Sequence, residues 1–483
     1  MPFPDLPRTS PGQQGIASSA LLRFVESLDA QLHDIHGMML LRHGSVVAEG
    51  WWSPYRREYP HMIFSLSKSF TSTAVGLAVA EGFFSIDDPV LSFFPDEAPV
   101  AGSAHLAALR VRHLLSMTTG HAVDTWAFMI DRPDGDWIKG FFGVPIVHTP
   151  GTHFLYNTGA TYILAAIVQQ TTGTRLIDYL EPRLFAPLGI RGASWDESPQ
   201  GIAHGGVGLR LTTEDIARFG QLYLQQGLWQ GKQVLPAAWI AEATTARIAP
   251  VADSPSDWAQ GYGYQFWRCR HGAYRGDGVF GQYCIIMPEQ DAVLAITGGI
   301  DLLDAPLPLN LVWDLLLPAM GTAPLAEASA EADRLTEKLS GLALPPVQGE
   351  VTSPIASQVI GRTYAVDPNA LRLETIALHV TGLGWTVRIT TVTGEEAISC
   401  GHGVWQPGQT TLFNDFWIVG SAPVVASGAW TAAEDFTMVV RLYETPFCHT
   451  LVCHFIGDDL LIETLVNTSL GGTETLLLTA HPA

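Results

Sequence analysis

A chain of 483 residues, 47% of them hydrophobic and only 15% charged, can bury more than one sizeable core, so two or three globular domains are expected. Its 47 acidic and 26 basic residues leave a formal net charge of −21, which argues against nucleic acid or an anionic membrane surface as partner. No uninterrupted apolar run reaches the ~18 residues of a membrane span. The opening MPFPDLPRTSPGQQG has neither the basic nor the apolar region of a secretion signal, and the five irregularly spaced cysteines (Cys269, Cys284, Cys400, Cys448 and Cys453) suit a reducing cytoplasm.

Taken in order, residues 1–15 read as an irregular arm, and Ala20 to Leu32 as a helix with Leu21, Leu22, Phe24, Val25, Leu28 and Leu32 at helical spacing. MMLLRHGSVVAEGWW gives two apolar runs around His43-Gly44, a β-hairpin pattern. His61 to Gly82 follows as an extended lead-in, a polar start SLSKS and a small, apolar run closed by glycine, the signature of a helix buried all round. SIDDPVLSFFPD and VRHLLSMTTG read as short helical pieces, Thr152 to Gly173 enters a second buried helix, and Thr212 to Gly227 is an amphipathic helix with threonine caps and Glu214 in its first turn. Beyond Gly261 the period becomes two, and GYGYQFWRC, AYRGDGVFGQYCIIMP and DAVLAITGG read as successive strands. SAEADRLTEKLSGLALPPVQGE reads as a helix and a proline-broken linker, and LETIALHV, WTVRITTV, TMVVRLYE, TLVCHFI and DLLIETLV as the strands of a separate all-β module. The expected domains are residues 1–322, a linker over 323–350, and 351–483. For the hairpin to bury its apolar residues it joins the later strands in one sheet. The expected fold class is therefore α/β (α+β): an antiparallel sheet flanked by helices, an inserted helical lobe, a cleft between them, and the β module.

The first chemical signal is Ser65 three residues before Lys68, which puts both side chains on one helix face near an N-terminus. A serine hydroxyl is a weak nucleophile until a neighbour takes its proton, and a desolvated lysine can do so. The same four residues admit a second reading, in which Ser65 or Ser67 caps the helix and Lys68 reaches solvent.

Three stretches stand in a telling order: SLSK at Ser65 to Lys68, YNT at Tyr156 to Thr158, and the glycine-rich strand entry Gly276-Asp277-Gly278. Together with RHLLSMTTG, PGTHFLYNTGATYILAAIVQQTTG, GGVGLRLTTEDIARFGQLYLQQG and GQYCIIMPEQDAVLAITGG, they make Pro11 to Met320 resemble the serine β-lactamase and penicillin-binding-protein superfamily. The resemblance is to its class C-like branch, with family VIII carboxylesterases, D-aminopeptidases and 6-aminohexanoate-dimer hydrolases. It implies a beta-lactamase-like fold and a nucleophilic Ser65 that forms an acyl-enzyme. Lys68 would share its proton network, and Tyr156 would act as base and then acid. The roles of Lys68 and Tyr156 are not separable at this level, because a coupled pair titrates as a unit. It further implies an oxyanion hole from the backbone N–H groups of Ser65 and Val279. Gly276, Asp277, Gly278, Asn157 and Thr158 would line the site.

Two positions depart from the family's pattern. Position 158 is threonine where the second motif usually has asparagine, and Gly276 replaces the lysine or histidine of the third. A site built for the carboxylate of a penicillin then lacks its usual cation, which favours ester or amide hydrolysis with at most weak β-lactamase activity. Arg275 is a substitute charge or a solvated turn residue, and Thr158 a helix cap or a lining residue. His204-Gly205-Gly206 precedes a helix and is set aside as a third motif. Tyr262, Tyr264, Trp267 and Tyr283 are candidates for an aromatic pocket or for packing, and Trp126 and Trp137 for a lid or for packing. His113 and His121 read as helix-end or cleft residues, Asp87-Asp88 as a turn, and the Cys448-His449 and Cys453-His454 pairs as strand residues that point opposite ways. No G-x-S-x-G, H-E-x-x-H or P-loop is present, and no metal or cofactor is expected. The expectation is a cytoplasmic serine hydrolase for small esters or amides, with homo-oligomerisation left open. The rival is a non-catalytic or slowly deacylating penicillin-recognising relative.

Overall fold

The computed structural model describes residues 5–97, 103–249, 254–326, 329–382, 384–413, 418 and 420–483; the first four residues of the N-terminal arm lie outside this set. The hairpin expected around His43-Gly44 forms from Ile35–Arg42 and Ser45–Trp51, with both turn residues at positive φ (47° and 74°), as a two-residue turn between twisted strands requires. It joins a six-stranded antiparallel sheet in the order Ser45–Trp51, Ile35–Arg42, Ala292–Gly298, Gln282–Met287, Tyr274–Gly278, Trp267–Arg268. The strand foreseen over GYGYQFWRC shrinks to Trp267–Arg268, because Gly261 (φ 120°) and Gln265 (φ 66°) break the extended run.

Both faces of this sheet are covered, which is why Ile35–Arg42 is buried along its whole length. Met38 and Leu40 face the core under the Ser18–Gln31 helix, whereas Met39 and Leu41 face the helical lobe, the two-residue alternation of a strand. On the lobe side the Thr213–Leu224 helix lies flat on the sheet, where Gly220 lets Val293 and Cys284 approach. Its start is fixed by a reciprocal pair: Asp215 N–H donates to Thr212 Oγ1 (3.2 Å) and Thr212 N–H donates to Asp215 Oδ2 (3.1 Å). Phe219 of this helix stacks on Phe70 at 3.9 Å, seating the Ser67–Ala80 helix above it, and the Thr158–Thr172 helix packs beside that one. Leu302–Ala319 reaches a mean hydropathy of 1.2, but it is a broken helix that turns Leu309, Val312, Trp313 and Leu316 into the core under Ser18–Gln31.

After the Ser329–Ser340 helix, which packs on Ser18–Gln31, the chain forms a ten-stranded β-barrel from Thr363–Val366 to Leu476–Pro482. The two end strands pair with each other, and Gly401 meets Ser427 to close the wall. Three of the five runs singled out in the sequence fall wholly in its strands, while WTVRITTV and TMVVRLYE run past theirs by one and three residues. Its interior is filled by Tyr364, Trp385, Trp430, Phe436 and Phe455, and the void among Tyr364, Phe436 and Phe455 is only ≈ 10 Å³, too small for a ligand.

The lobe and the sheet are riveted together by Gln265, which is 2% exposed. Its Oε1 accepts from Thr161 Oγ1 (2.8 Å), its Nε2 donates to the carbonyls of Leu114 (3.2 Å) and Leu115 (2.8 Å), and its own carbonyl accepts from Ser69 Oγ (2.8 Å). Replacing it by leucine keeps the volume but leaves Thr161 Oγ1 without its acceptor and takes one of the donors from each of two carbonyls in a dry interior. Gln265→Leu is therefore expected to cost about 2–3 kcal/mol, read as a lower urea midpoint. An unchanged midpoint would show that this network does not hold the lobe.

Candidate active site

The His61–Met62 strand, paired with Leu209–Leu211, runs into a single tight turn over Phe64–Leu66 before the Ser67–Ala80 helix begins. Phe64 takes a left-handed backbone (φ 45°), a conformation that costs a bulky residue about 1–3 kcal/mol. This turn leaves Ser65 as the one residue from His61 to Phe70 that is not buried. The other nine are buried, and Ser65 alone is partly exposed.

Lys68 stands one turn on, 1% exposed. Its ammonium donates to Gly206 O at 2.9 Å, to Ser65 Oγ at 3.0 Å and to Thr158 Oγ1 at 3.4 Å. Burial disfavours the charged form and lowers the lysine from its ordinary range to about 7, against the opposing pull of the Asp124 and Asp277 carboxylates. Tyr156 faces it, its ring 4.8 Å from Lys68 Nζ and its hydroxyl on the side of Ser65. The ring stacks on Trp267 (5.6 Å) and meets the edge of Tyr262 (6.1 Å). Desolvation raises the phenol above its usual range, so near neutrality it remains protonated.

The remaining members of the second motif divide. Thr158, the first residue of its helix, lines the site through its hydroxyl, while Asn157 is fully buried and tied to Thr125, whose N–H (3.1 Å) and Oγ1 (2.8 Å) both donate to its Oδ1. Asn157 therefore fixes the loop that carries Asp124. Asp124 is a residue the sequence did not single out: its Oδ1 accepts from Thr158 N (3.0 Å) and Trp126 N (3.0 Å), placing a carboxylate at a helix N-terminus beside Lys68. The available signal was negative. The helix has no acidic residue in its first turn and its N-cap side chain does not cap, so a carboxylate from elsewhere fits there.

The third motif occupies the Tyr274–Gly278 strand. A Cβ at Gly276 would lie 2.1 Å from Leu66 Cδ1 and 2.9 Å from Ser69 Oγ, and one at Gly278 would lie 2.2 Å from Ile63 O. The strand thus presses against the very turn that presents Ser65, and no side chain fits at position 276. Asp277 and Arg275 occupy the other face. Arg275 is fully buried; its Nε donates to Asp277 Oδ2 at 2.8 Å, its Nη1 donates to Asp257 O at 3.1 Å, and its guanidinium lies 4.7 Å over Trp258. The substitute charge suggested by the sequence is therefore already neutralised inside the protein. Asp277 and Val279 are half-buried; burial raises the Asp277 carboxyl even though Arg275 opposes the shift.

Tyr264 is not brought to this site. It packs on Trp239 at 5.8 Å, on the lobe side, because the backbone turns between Tyr262 and Trp267 and sends their side chains, not that of Tyr264, to Tyr156. Tyr283 lies on the far face of the sheet, its hydroxyl donating to Ala305 O at 2.7 Å. Trp126 and Trp137 pack on each other (5.2 Å) and on His204 as part of the lobe. The His204-Gly205-Gly206 stretch, set aside in the sequence, passes behind Lys68, and a Cβ at Gly206 would crowd Thr158 Cγ2 at 2.9 Å. A carbonyl partner leaves no mark in sequence. Among the described residues no group of three or more His, Cys, Asp or Glu is arranged to hold a metal.

Lys68 is one of four lysines in the chain, the others being Lys139, Lys232 and Lys338. With isotope-labelled lysine, one Cε resonance is expected to titrate with a midpoint near 7 and to vanish in Lys68→Met. Four signals that all titrate in the ordinary lysine range would refute the desolvation of Lys68.

The family model described as Beta-lactamase matches residues 25–298. The 6-aminohexanoate-dimer hydrolase of Paenarthrobacter ureafaciens is 27% identical over 311 residues, covering 59% of this chain and 78% of that enzyme. Esterase EstB of Burkholderia gladioli is 26% identical over 174 residues, covering 32% of this chain and 44% of the esterase. Among solved structures, EstCE1, a hydrolase with promiscuous acyltransferase activity, is similar in fold at a TM-score of 0.50 and 16% identity, covering 61% of this chain and 98% of its own. The matched stretch spans more than half of the chain and holds Ser65, Lys68, Tyr156 and the Gly276 to Gly278 strand; the protein belongs to the beta-lactamase family.

Proposed function

We propose that this chain is a serine hydrolase that forms an acyl-enzyme on Ser65 and acts on small, uncharged esters or amides. One observation carries the reading: Ser65, the one partly exposed residue of the turn, has its hydroxyl 3.0 Å from a buried lysine whose proton affinity falls to about 7. A neutral Lys68 has two N–H groups for Gly206 O and Thr158 Oγ1, which leaves its lone pair for the Ser65 proton. Lys68 is then the base. Tyr156, kept protonated by burial, is the acid that gives its proton to the departing alcohol or amine and regains one from Lys68. The attacking Oγ–carbonyl bond forms, the bond to the leaving group breaks, and water later releases the acid by the reverse proton path. The N–H groups of Ser65 and Val279 receive the developing oxyanion.

The same reading limits the substrate. With no room for a cation at Gly276 and with Arg275 neutralised by Asp277, a substrate carboxylate finds no partner, which supports neutral esters and amides ahead of β-lactams. The aromatic wall of Tyr156, Tyr262 and Trp267 suits an apolar group. Five free, buried thiols fit a reducing compartment.

Intact mass after incubation with a fluorophosphonate is the first test. A single adduct is expected on the wild type and none on Ser65→Ala, which should also lose turnover of neutral esters. An equal adduct on both proteins would move the nucleophile elsewhere, and no adduct on either would leave the serine unactivated. Because the base must be neutral, kcat/KM is expected to rise with pH through a midpoint near 7 and to stay low below it. A flat profile from pH 5 to about 9 would remove Lys68 from the proton path.

A further inference from the structure

Two strained residues flank the proposed catalytic groups. Phe64 (φ 45°) immediately precedes Ser65, and Phe280 (φ 68°) immediately follows Val279. Left to themselves, bulky residues leave this backbone region, and relaxation at either would shift the backbone of its neighbour, Ser65 or Val279. Something must hold both.

The two rings meet edge to face at 5.2 Å. A third ring closes the set from the β-barrel: Phe447 lies edge-on to Phe64 at 6.1 Å and to Phe280 at 5.9 Å. Exposures of 1%, 2% and 6% for Phe64, Phe280 and Phe447 leave none of the rings room to move. Met62, Phe64 and Phe280 share the apolar core of the barrel, not that of the helical lobe.

The loop that presents Phe447 is itself rigid. Leu442 N–H donates to Phe447 O (3.1 Å), and Phe447 N–H donates to Thr445 Oγ1 (3.1 Å). The loop and its flanking residues are also joined to the strand before Ser65 and to one end of the six-stranded sheet. Met62 N–H donates to Glu444 O at 2.8 Å, Arg441 Nη1 donates to Asp34 Oδ1 at 2.6 Å, and Asn467 Nδ2 donates to Asp34 Oδ2 at 2.7 Å and to Gly299 O at 3.1 Å.

We propose that Phe447 is a positioning residue: through Phe64 and Phe280 the barrel holds the two halves of the oxyanion site, Ser65 and Val279, in register. The proposal rests on the acyl-enzyme reading above. It makes the barrel part of the chemistry without giving it any contact with substrate.

The test uses the full chain and compares Phe447→Ala, Phe447→Leu and a control, Phe455→Ala. Phe455 is equally buried in the barrel core, against Tyr364 and Trp430, away from the Ser65 turn. Well below each Tm, Phe447→Ala is expected to lower kcat on a neutral ester, and the maximal rate of fluorophosphonate labelling, by about 10- to 100-fold. KM and the half-saturating probe concentration should stay within about threefold, since binding groups are untouched. Phe447→Leu should lose about three- to tenfold, and Phe455→Ala should lower Tm with kcat within about twofold. Wild-type kcat in folded Phe447→Ala or Phe447→Leu, or an equal loss in Phe455→Ala, would overturn the proposal. Should Phe447→Ala fail to fold, the leucine variant alone decides. A wild type that takes no label would bring down the acyl-enzyme reading itself, and this one with it.

Discussion

Everything near the cleft answers to one constraint, the burial of the Lys68 amine. An ammonium taken out of water is costly, and the group meets that cost by giving up its proton near 7. The value is a balance. Desolvation pulls it down, and the Asp124 and Asp277 carboxylates hold it near neutrality. The surrounding sequence follows from that balance. A helix with the buried face SKSFTSTAVGLA can enclose the amine, Gly206 can bring a carbonyl to it only because it has no side chain, and Asp124 is already anchored by capping the neighbouring helix. Remove the burial and the same residues describe an ordinary helix start.

The second constraint is the close approach of the Gly276 to Gly278 strand to the Ser65 turn. Contact with Leu66, Ser69 and the Ile63 carbonyl is possible only without Cβ atoms at Gly276 and Gly278. Tight contact and a long cationic side chain at position 276 exclude one another. Arg275 does not replace that cation, because a fully buried guanidinium is stable only with Asp277 beside it.

How much of this was legible in the sequence depends on the distance over which each feature is decided. Ser65 and Lys68 share a face by helical spacing alone, the His43-Gly44 turn by its own backbone, and the helices ending at Gly82, Gly173 and Gly227 by local stop signals. The order of SLSK, YNT and Gly276-Asp277-Gly278 then pointed to one place, and the structure brings Ser65, Lys68, Tyr156 and that strand together. What local pattern could not decide was side-chain direction in irregular backbone: Tyr264 and Trp267 look equivalent in GYGYQFWRC, yet a positive φ at Gln265 turns one to Trp239 and the other to Tyr156. Nor could it show partners that act through backbone, such as Gly206 O, or a capping carboxylate donated from a separate loop, as Asp124 is. Asn157 carries the look of a site residue and turns out to tie down that loop.

The alternation around Ser65 shows why the site needs both parts of the molecule. Met62 and Phe64 enter the core of the barrel, whereas Ile63 and Leu66 enter the core of the helical lobe. Ser65 is therefore the residue at the seam, held from two sides by apolar cores that belong to different parts of the chain. A left-handed Phe64 is tolerable only because these neighbours over-determine it, and the strain is paid for by packing more than 300 residues away in sequence, at Phe447. A barrel filled with its own side chains offers the rest of the chain a rigid surface, and the Ser65 turn is seated on it.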